Sequence, residues 1–238
     1  MKRESDPEIE ITADGSATLY LNDLDEHYHS TKGAIAESRH VYVETGWRAA
    51  PAKEPVKVFE VGFGTGLNAA LTAEAAMNHR TPTIYHSVEL YPLDPALSEN
   101  LGYGHATEFF SAINRAQWNA AVRINPYFTL VKRTDNLLTM ELPQQTDVVY
   151  FDAFAPEKQP EMWSGEIFRR LFESMSPGGR LTTYCAKGAV RRLLQGIGFT
   201  VERLPGPVNG KREILRATKP ISDAVTPDDK ASCDSRER

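Results

Sequence analysis

A glycine-rich turn and three acidic side chains carry most of the chemistry that the sequence offers. The turn is "VGFGTGLN" (61–68), in which Gly62, Gly64 and Gly66 alternate directly after the apolar run "VKVFEV" (56–61). Glycine admits backbone conformations and close approaches that a Cβ forbids. A helix starting near Leu67 would aim its unpaired N–H groups at whatever lies over the turn. The spacing G-x-G-x-G differs from the dinucleotide fingerprint G-x-G-x-x-G, and no G-K-[ST] follows, so a nucleoside triphosphate is not expected.

The acids sharpen this. Glu89 closes the run "TIYHSVEL" (83–90), 23 residues beyond Gly66, where an acid can bond both hydroxyls of a ribose. Asp135 closes "FTLVKRTD" (128–135), where its carboxylate or the adjoining backbone can read an adenine amino group. A reader of ribose and adenine without phosphate equipment suits S-adenosylmethionine. Glu60, in the strand that enters the turn, is counted with this cofactor set. Asp152 follows four apolar or aromatic residues in "VVYFDAF" (148–154), which predicts partial desolvation. A carboxylate there can orient an amine or take up its proton. A sulfonium donor is already activated, so the remaining work is alignment and keeping the amine neutral. Phe154 and Trp163 can stack on an unpaired base; the alternative for Trp163 is packing in the core.

The elements that must hold these residues alternate. Strands are expected at 56–61, 83–90, 128–135, 146–154 and 178–186, and helices at 67–79, 165–175 and 187–198. The span 91–122 reads as mainly helical, with Phe109, Phe110 and Trp118 as anchors. Strands at 200–205 and 211–219 close the chain as a hairpin. Alternation predicts an α/β, Rossmann-like, mostly parallel sheet of seven strands with an antiparallel edge hairpin. In such sheets ligands bind at the carboxyl ends of the strands. Residues 1–50 read as a β-rich extension with a hairpin around Asp14-Gly15, in which "ESRHVYVETG" (37–46) is a strand or a helix start. Residues 51–219 form the main domain, and 220–238 a disordered tail.

The 238 residues contain 41% hydrophobic and 25% charged side chains, the balance of a globular protein. No run of about 18 apolar residues suggests a membrane span, and the N-terminus lacks the apolar stretch of a secretory signal. Cys185 and Cys233 are the two cysteines, too few for a disulfide framework or structural zinc, so a reducing cytoplasm and no metal are expected. Net charge is −5, yet residues 158–219 carry 12 Lys/Arg against 5 Asp/Glu. That asymmetry fits either a phosphate-facing surface or a solvated basic face.

Taken together, "GFGTGLN" (62–68), "YFDAFAPEKQPEMW" (150–163), "SPGGRLTTYCAKGAVRRLLQGIGF" (176–199) and "GKREIL" (210–215) resemble the tRNA wobble-uridine methyltransferases of the MnmC/MnmD family. So does the segment 25–46, at Tyr28, Ser30, Gly33 and Glu37. The resemblance covers roughly residues 18–217, and the run from Asp152 to Trp163 is its most specific part. It implies methyl transfer from S-adenosylmethionine to the 5-aminomethyl group of a wobble uridine, giving 5-methylaminomethyl-(2-thio)uridine. It places Gly62, Gly64, Gly66 and Asn68 in the cofactor loop, Glu89 at the ribose and Asp135 at the adenine. Asp152 falls near both the methyl and the amine. Tyr28, Ser30, Glu37, Phe154 and Trp163 are implied at the acceptor, and Lys187, Arg191, Arg192, Lys211 and Arg212 at tRNA phosphates. Asn136, after Asp135, departs from a fixed pattern. No flavin fingerprint follows, so a stand-alone form is expected, with the aminomethyl substrate made by separate enzymes. The competing readings are a methyltransferase for small-molecule or protein amines and a non-catalytic RNA-binding module.

Overall fold

The computed structural model describes residues 7–13, 15–208 and 210–221. The chain begins with a small antiparallel sheet of β1 (Glu8–Ile11), β2 (Ala17–Leu21) and β3 (Glu26–His27). The expected hairpin is there, with Ile11 opposite Ala17, although Asp14 of its turn lies outside the described residues. Helix α1 (Ala34–Ser38) then runs straight into a nine-residue π-helix, Arg39–Trp47. Val41, Tyr42 and Val43 are β-branched or aromatic, which biased the sequence toward a strand. All three are buried in the helix instead, against the main sheet.

The main sheet contains β4 (Val56–Val61), β5 (Thr83–Glu89), β6 (Ala121–Asn125), β7 (Phe128–Thr134), β8 (Thr146–Phe151), β9 (Met175–Thr183), β10 (Thr200–Pro205) and β11 (Glu213–Thr218). Their order is β10-β11-β9-β8-β4-β5-β7-β6. The five central strands are parallel, and the closing hairpin β10–β11 is antiparallel as expected. The sheet has eight strands where the sequence suggested seven. The additional one, β6, pairs antiparallel with β7 at the other edge. It falls at the end of the span read as helical, which holds the short helices α3 (Pro95–Glu99) and α4 (Phe110–Arg115) with a 3-10 turn, Tyr103–His105, between them.

The strands point alternate residues to two cores. Val58, Tyr85 and Tyr150 meet α2 (Leu67–His79) and the π-helix on one face. Phe59, Val61, Val149 and Phe151 meet α5 (Gly165–Ser174) and α6 (Gly188–Ile197) on the other. Helix α2 turns Ala69, Ala70, Ala73 and Ala76 inward with no exposed surface, and side chains this small let a helix lie close on a sheet. Ala17 and Leu19 of the first sheet join that same core. No helix among the described residues is long and apolar enough to cross a membrane. The tail from 222 and Cys233 lie outside the described residues.

Candidate active site

The carboxyl ends of β4, β5, β7 and β8 open onto one cavity of about 1,200 Å3, and residues of the first sheet and α1 wall its far side. The glycine turn forms its floor. Gly62 adopts φ +87°, and a Cβ there would sit 2.7 Å from the Asp152 carbonyl oxygen, so a side chain is excluded twice over. Gly64 lies against the Tyr28 ring, and its N–H donates to Glu89 Oε2 (3.1 Å). Gly66 starts α2 beneath the Phe63 ring and does not line the cavity.

The turn is braced from behind by a buried lysine. Lys132 Nζ donates to the carbonyls of Ile113 (3.0 Å) and Asn114 (2.9 Å), and lies 4.9 Å from the Phe63 ring centroid and 4.6 Å from that of Trp118. Burial lowers its pKa to about 8. Asn114 Nδ2 in turn donates to the Thr65 carbonyl (3.1 Å).

Glu89 accepts from the N–H groups of Gly64 and Tyr91 (3.0 Å). Asp135 is paired with Arg133 Nη2 (2.9 Å) and accepts from the Asn136 N–H (2.9 Å). Between these acids the wall is apolar: Leu90, Leu137, Leu138 and Met162. Leu90 and Leu138 are 44% and 42% exposed, which leaves apolar surface on this wall for a flat ligand to cover.

Asp152 stands just past the end of β8, where Tyr42 Oη donates to Oδ1 (2.5 Å) and Asn68 Nδ2 to Oδ2 (2.7 Å). Burial raises its pKa to about 6, the two donors hold it down, and the Glu37 charge pushes it up. Glu37 accepts from the Ser30 N–H (2.9 Å) and lies 3.7 Å from Lys211 Nζ. That ammonium sits 3.5 Å from the Tyr184 ring centroid. Phe154 meets Tyr28 edge-on at 5.1 Å.

The cavity therefore gathers Tyr28, Ser30, Glu37, Gly62, Gly64, Asn68, Glu89, Asp135, Asp152 and Phe154. Lys187, Lys211 and Arg212 also line it, Lys187 in an ion pair with Glu157. Arg191 and Arg192 do not; they lie on α6, outside the cavity. Trp163 does not stack there either. It is buried, its Nε1 donates to the Phe154 carbonyl (2.8 Å), and its ring packs edge-on against Phe151 at 4.9 Å. Glu60 is fully buried and reaches no cavity surface, so it does not touch a ligand there.

Tyr42, Tyr184 and His29 were not anticipated. Tyr184 Oη donates to the Ala153 carbonyl (2.9 Å), and burial raises its pKa. His29 Nε2 bonds Thr65 Oγ1 (2.8 Å), and burial lowers its pKa to about 4, so the imidazole is neutral. Histidine beside Tyr28 in a segment already singled out was the available signal. Tyr42 offered none, because its partner is 110 residues away.

Residues 108–220 match the family described as S-adenosyl-L-methionine-dependent methyltransferase. The match takes in β6 to β11 and lies wholly after the glycine turn. The chain is 35% identical over 213 residues to the tRNA 5-methylaminomethyl-2-thiouridine biosynthesis bifunctional protein MnmC of Pseudomonas fluorescens, an alignment covering 81% of this chain and 32% of that protein. The protein of the same name from Cupriavidus necator is 33% identical over 207 residues, 79% of this chain and 31% of its own length. The chain thus spans about a third of the length of the curated relatives it matches. Among solved structures, MnmC2 from Aquifex aeolicus superposes with a TM-score of 0.71 at 24% identity, over 92% of this chain and 73% of that one. That likeness is one of fold.

The cavity suits S-adenosyl-L-methionine, the cofactor named in the description of the matching family. The floor at Gly62 has no room for a Cβ, Leu90 and Leu138 present apolar surface, and the carboxylates of Glu89 and Asp135 line the same cavity. Such a donor set fits a neutral nucleoside joined to a cationic sulfonium.

Proposed function

We propose that this domain methylates the nitrogen of the 5-aminomethyl group on a wobble uridine of tRNA, giving 5-methylaminomethyl-(2-thio)uridine. The observation that carries this reading is Asp152: a carboxylate with a pKa near 6, held by Tyr42 and Asn68, facing a cavity rimmed by Lys187, Lys211 and Arg212. The names of the MnmC relatives supply the substrate class.

When bound, S-adenosyl-L-methionine supplies an electrophilic methyl group, so no side chain has to activate the donor. The chain's own task is the amine, which arrives as an ammonium at neutral pH because alkylamines titrate near 10. Glu37 and Asp152, coupled across the cavity, attract that cation. Each Asp152 oxygen accepts one hydrogen bond from the protein and keeps a second lone pair. Asp152 can therefore accept from the ammonium and hold the proton that the nitrogen sheds. Glu89 is placed to receive the ribose hydroxyls, and Asp135 or the backbone beside it the adenine edge. Tyr28 or Phe154, whose rings meet edge-on, takes the face of a splayed uracil, and the three cations meet the flanking phosphates. On this reading residues 51–219 hold the cofactor and residues 1–50 supply one wall of the acceptor site. The reaction belongs in the cytoplasm, and separate enzymes form the aminomethyl group.

One feature favours a second reading, a small cationic amine as acceptor: carboxylates outnumber cations along the cavity wall. Incubation with labelled S-adenosyl-L-methionine and tRNA bearing unmethylated 5-aminomethyluridine separates the two. Label is expected in the methylated nucleoside and is expected to vanish in Asp152→Ala. Label in polyamines with none in tRNA would establish the second reading, and labelling that survives Asp152→Ala would remove Asp152 from the chemistry.

A further inference from the structure

Glu60 has no place in the mechanism above, yet its surroundings are specific. It lies on β4 with no exposed surface, and among the described residues no ion pair reaches it. Asp152, Tyr85 and Tyr150 are the titratable groups that act on it, from the end of β8, from β5 and from β8. Ser87 Oγ on β5 donates to Glu60 Oε2 at 2.7 Å. Glu60 Oε1 has no partner of ordinary geometry, and neither do Asn68 Oδ1 and Tyr85 Oη. Asn68 and Tyr85 are also the side chains that, with Ser87, hydrogen-bond toward this carboxyl.

Three stranded polar atoms around one buried carboxyl point to an unaccounted hydrogen. A carboxylate only accepts, and Asn68 Oδ1 also only accepts, so an ionised Glu60 leaves that amide oxygen without a donor. A carboxylic acid has one hydrogen to donate, which would supply the stranded Asn68 Oδ1, while it still accepts from Ser87 and Tyr85. Asn68 Nδ2 is then held toward Asp152, where it already donates.

We propose that Glu60 is a positioning residue, held as the uncharged carboxylic acid, that locks the Asn68 amide in the orientation from which it aims Asp152. Burial, with the Asp152 charge adding to it, raises the Glu60 pKa to about 8, so the acid form prevails at neutral pH. The significance of aiming Asp152 rests on the proposed function; the protonation of Glu60 does not.

The test is an infrared difference spectrum of the full chain, wild type minus Glu60→Gln, at pH 7. A protonated-carboxyl C=O band is expected, shifted in D2O and lost as the pH rises past about 8. Should Glu60→Gln not fold, the wild-type difference between pH 7 and pH 9.5 carries the same band, and absence of the band in either spectrum overturns the proposal. In methyl transfer, Glu60→Gln can donate to the same Asn68 oxygen and should recover most of the rate lost in Glu60→Leu. The acid limb of its kcat profile should stay near 6. A limb displaced to lower pH would mean that a negative charge had been removed, and Glu60 would then be ionised. Loss of tRNA methylation as the activity, with the band intact, would sink the proposed function alone.

Discussion

Tyr42 Oη donates to Asp152 Oδ1 at 2.5 Å, joining the N-terminal π-helix to the carboxyl end of β8 across 110 residues of chain. A donor to the charged form favours that form, so Tyr42 holds down a pKa that burial raises. Hydrogen bonds to charged groups are worth about 1.5–3 kcal/mol. Tyr42→Phe, which keeps the ring against Tyr150, should move the acid limb of kcat above 6 and cut the rate at pH 7 by roughly tenfold. An unmoved limb would show that Tyr42 only packs.

Asp152 should also cost stability. Its folded pKa of about 6 lies above the ordinary carboxylate value near 3.9, so ionisation is penalised in the folded state. Stability from this group is complete below pH ~4 and is lost as the pH rises through 6. Asp152→Asn should therefore abolish methyl transfer and yet stabilise the fold by ~1–2 kcal/mol at pH 8, with no gain at pH 4. Urea unfolding at both pH values checks the sign.

Glu89 and Asp135 should differ in their effect on the cofactor. Asp135 is already committed to the Arg133 guanidinium, whereas Glu89 accepts from the backbone N–H groups of Gly64 and Tyr91. Charge-assisted bonds of about 1.5–3 kcal/mol put the loss for Glu89→Ala at roughly 10- to 100-fold in the S-adenosylmethionine dissociation constant. Asp135→Ala should lose less. Calorimetric titration measures both, and tRNA affinity should not change in either.

Arg191 and Arg192 lie outside the cavity on α6, so they are expected to act on tRNA through charge alone. Reversing both to glutamate should weaken tRNA binding and flatten its dependence on salt, with cofactor affinity unchanged. If the salt slope stays as in the wild type, this face of α6 is simply solvated, and the phosphates are met by Lys187, Lys211 and Arg212 at the cavity rim.

The parallel core was legible because β4, β5, β7 and β8 are apolar runs bounded by turn residues, and the Ala-rich α2 is a strong helix former. What escaped was decided by tertiary contacts. β6 is short and mostly exposed, and only its pairing with β7 makes it a strand. The π-helix holds β-branched and aromatic residues that local propensity assigns to strands, and packing on the sheet overrides that preference. Glu89 and Asp135 could be assigned to the cavity from their places at strand ends. Tyr42 and Tyr184 could not, since each acts on a residue remote in the chain, and His29 was signalled only by its place beside Tyr28. Trp163 and Glu60 show the converse: the right region of sequence does not tell which side chains face the cavity and which face the core.

The π-helix at 39–47 also means that Tyr42 reaches Asp152 through residue count as much as residue type. A π turn holds one residue more than an α turn, and each α-helical residue rotates about 100°. Deleting one residue between Tyr42 and Trp47 could be absorbed by tightening this stretch to an ordinary α-helix. A second deletion, with Trp47 anchored in the core, would rotate the tyrosine by about 100° away from the carboxylate. Insertions and deletions in this short segment therefore bear on activity as directly as substitutions in the cavity. Related chains could lose the Asp152 contact with every cavity residue still in place.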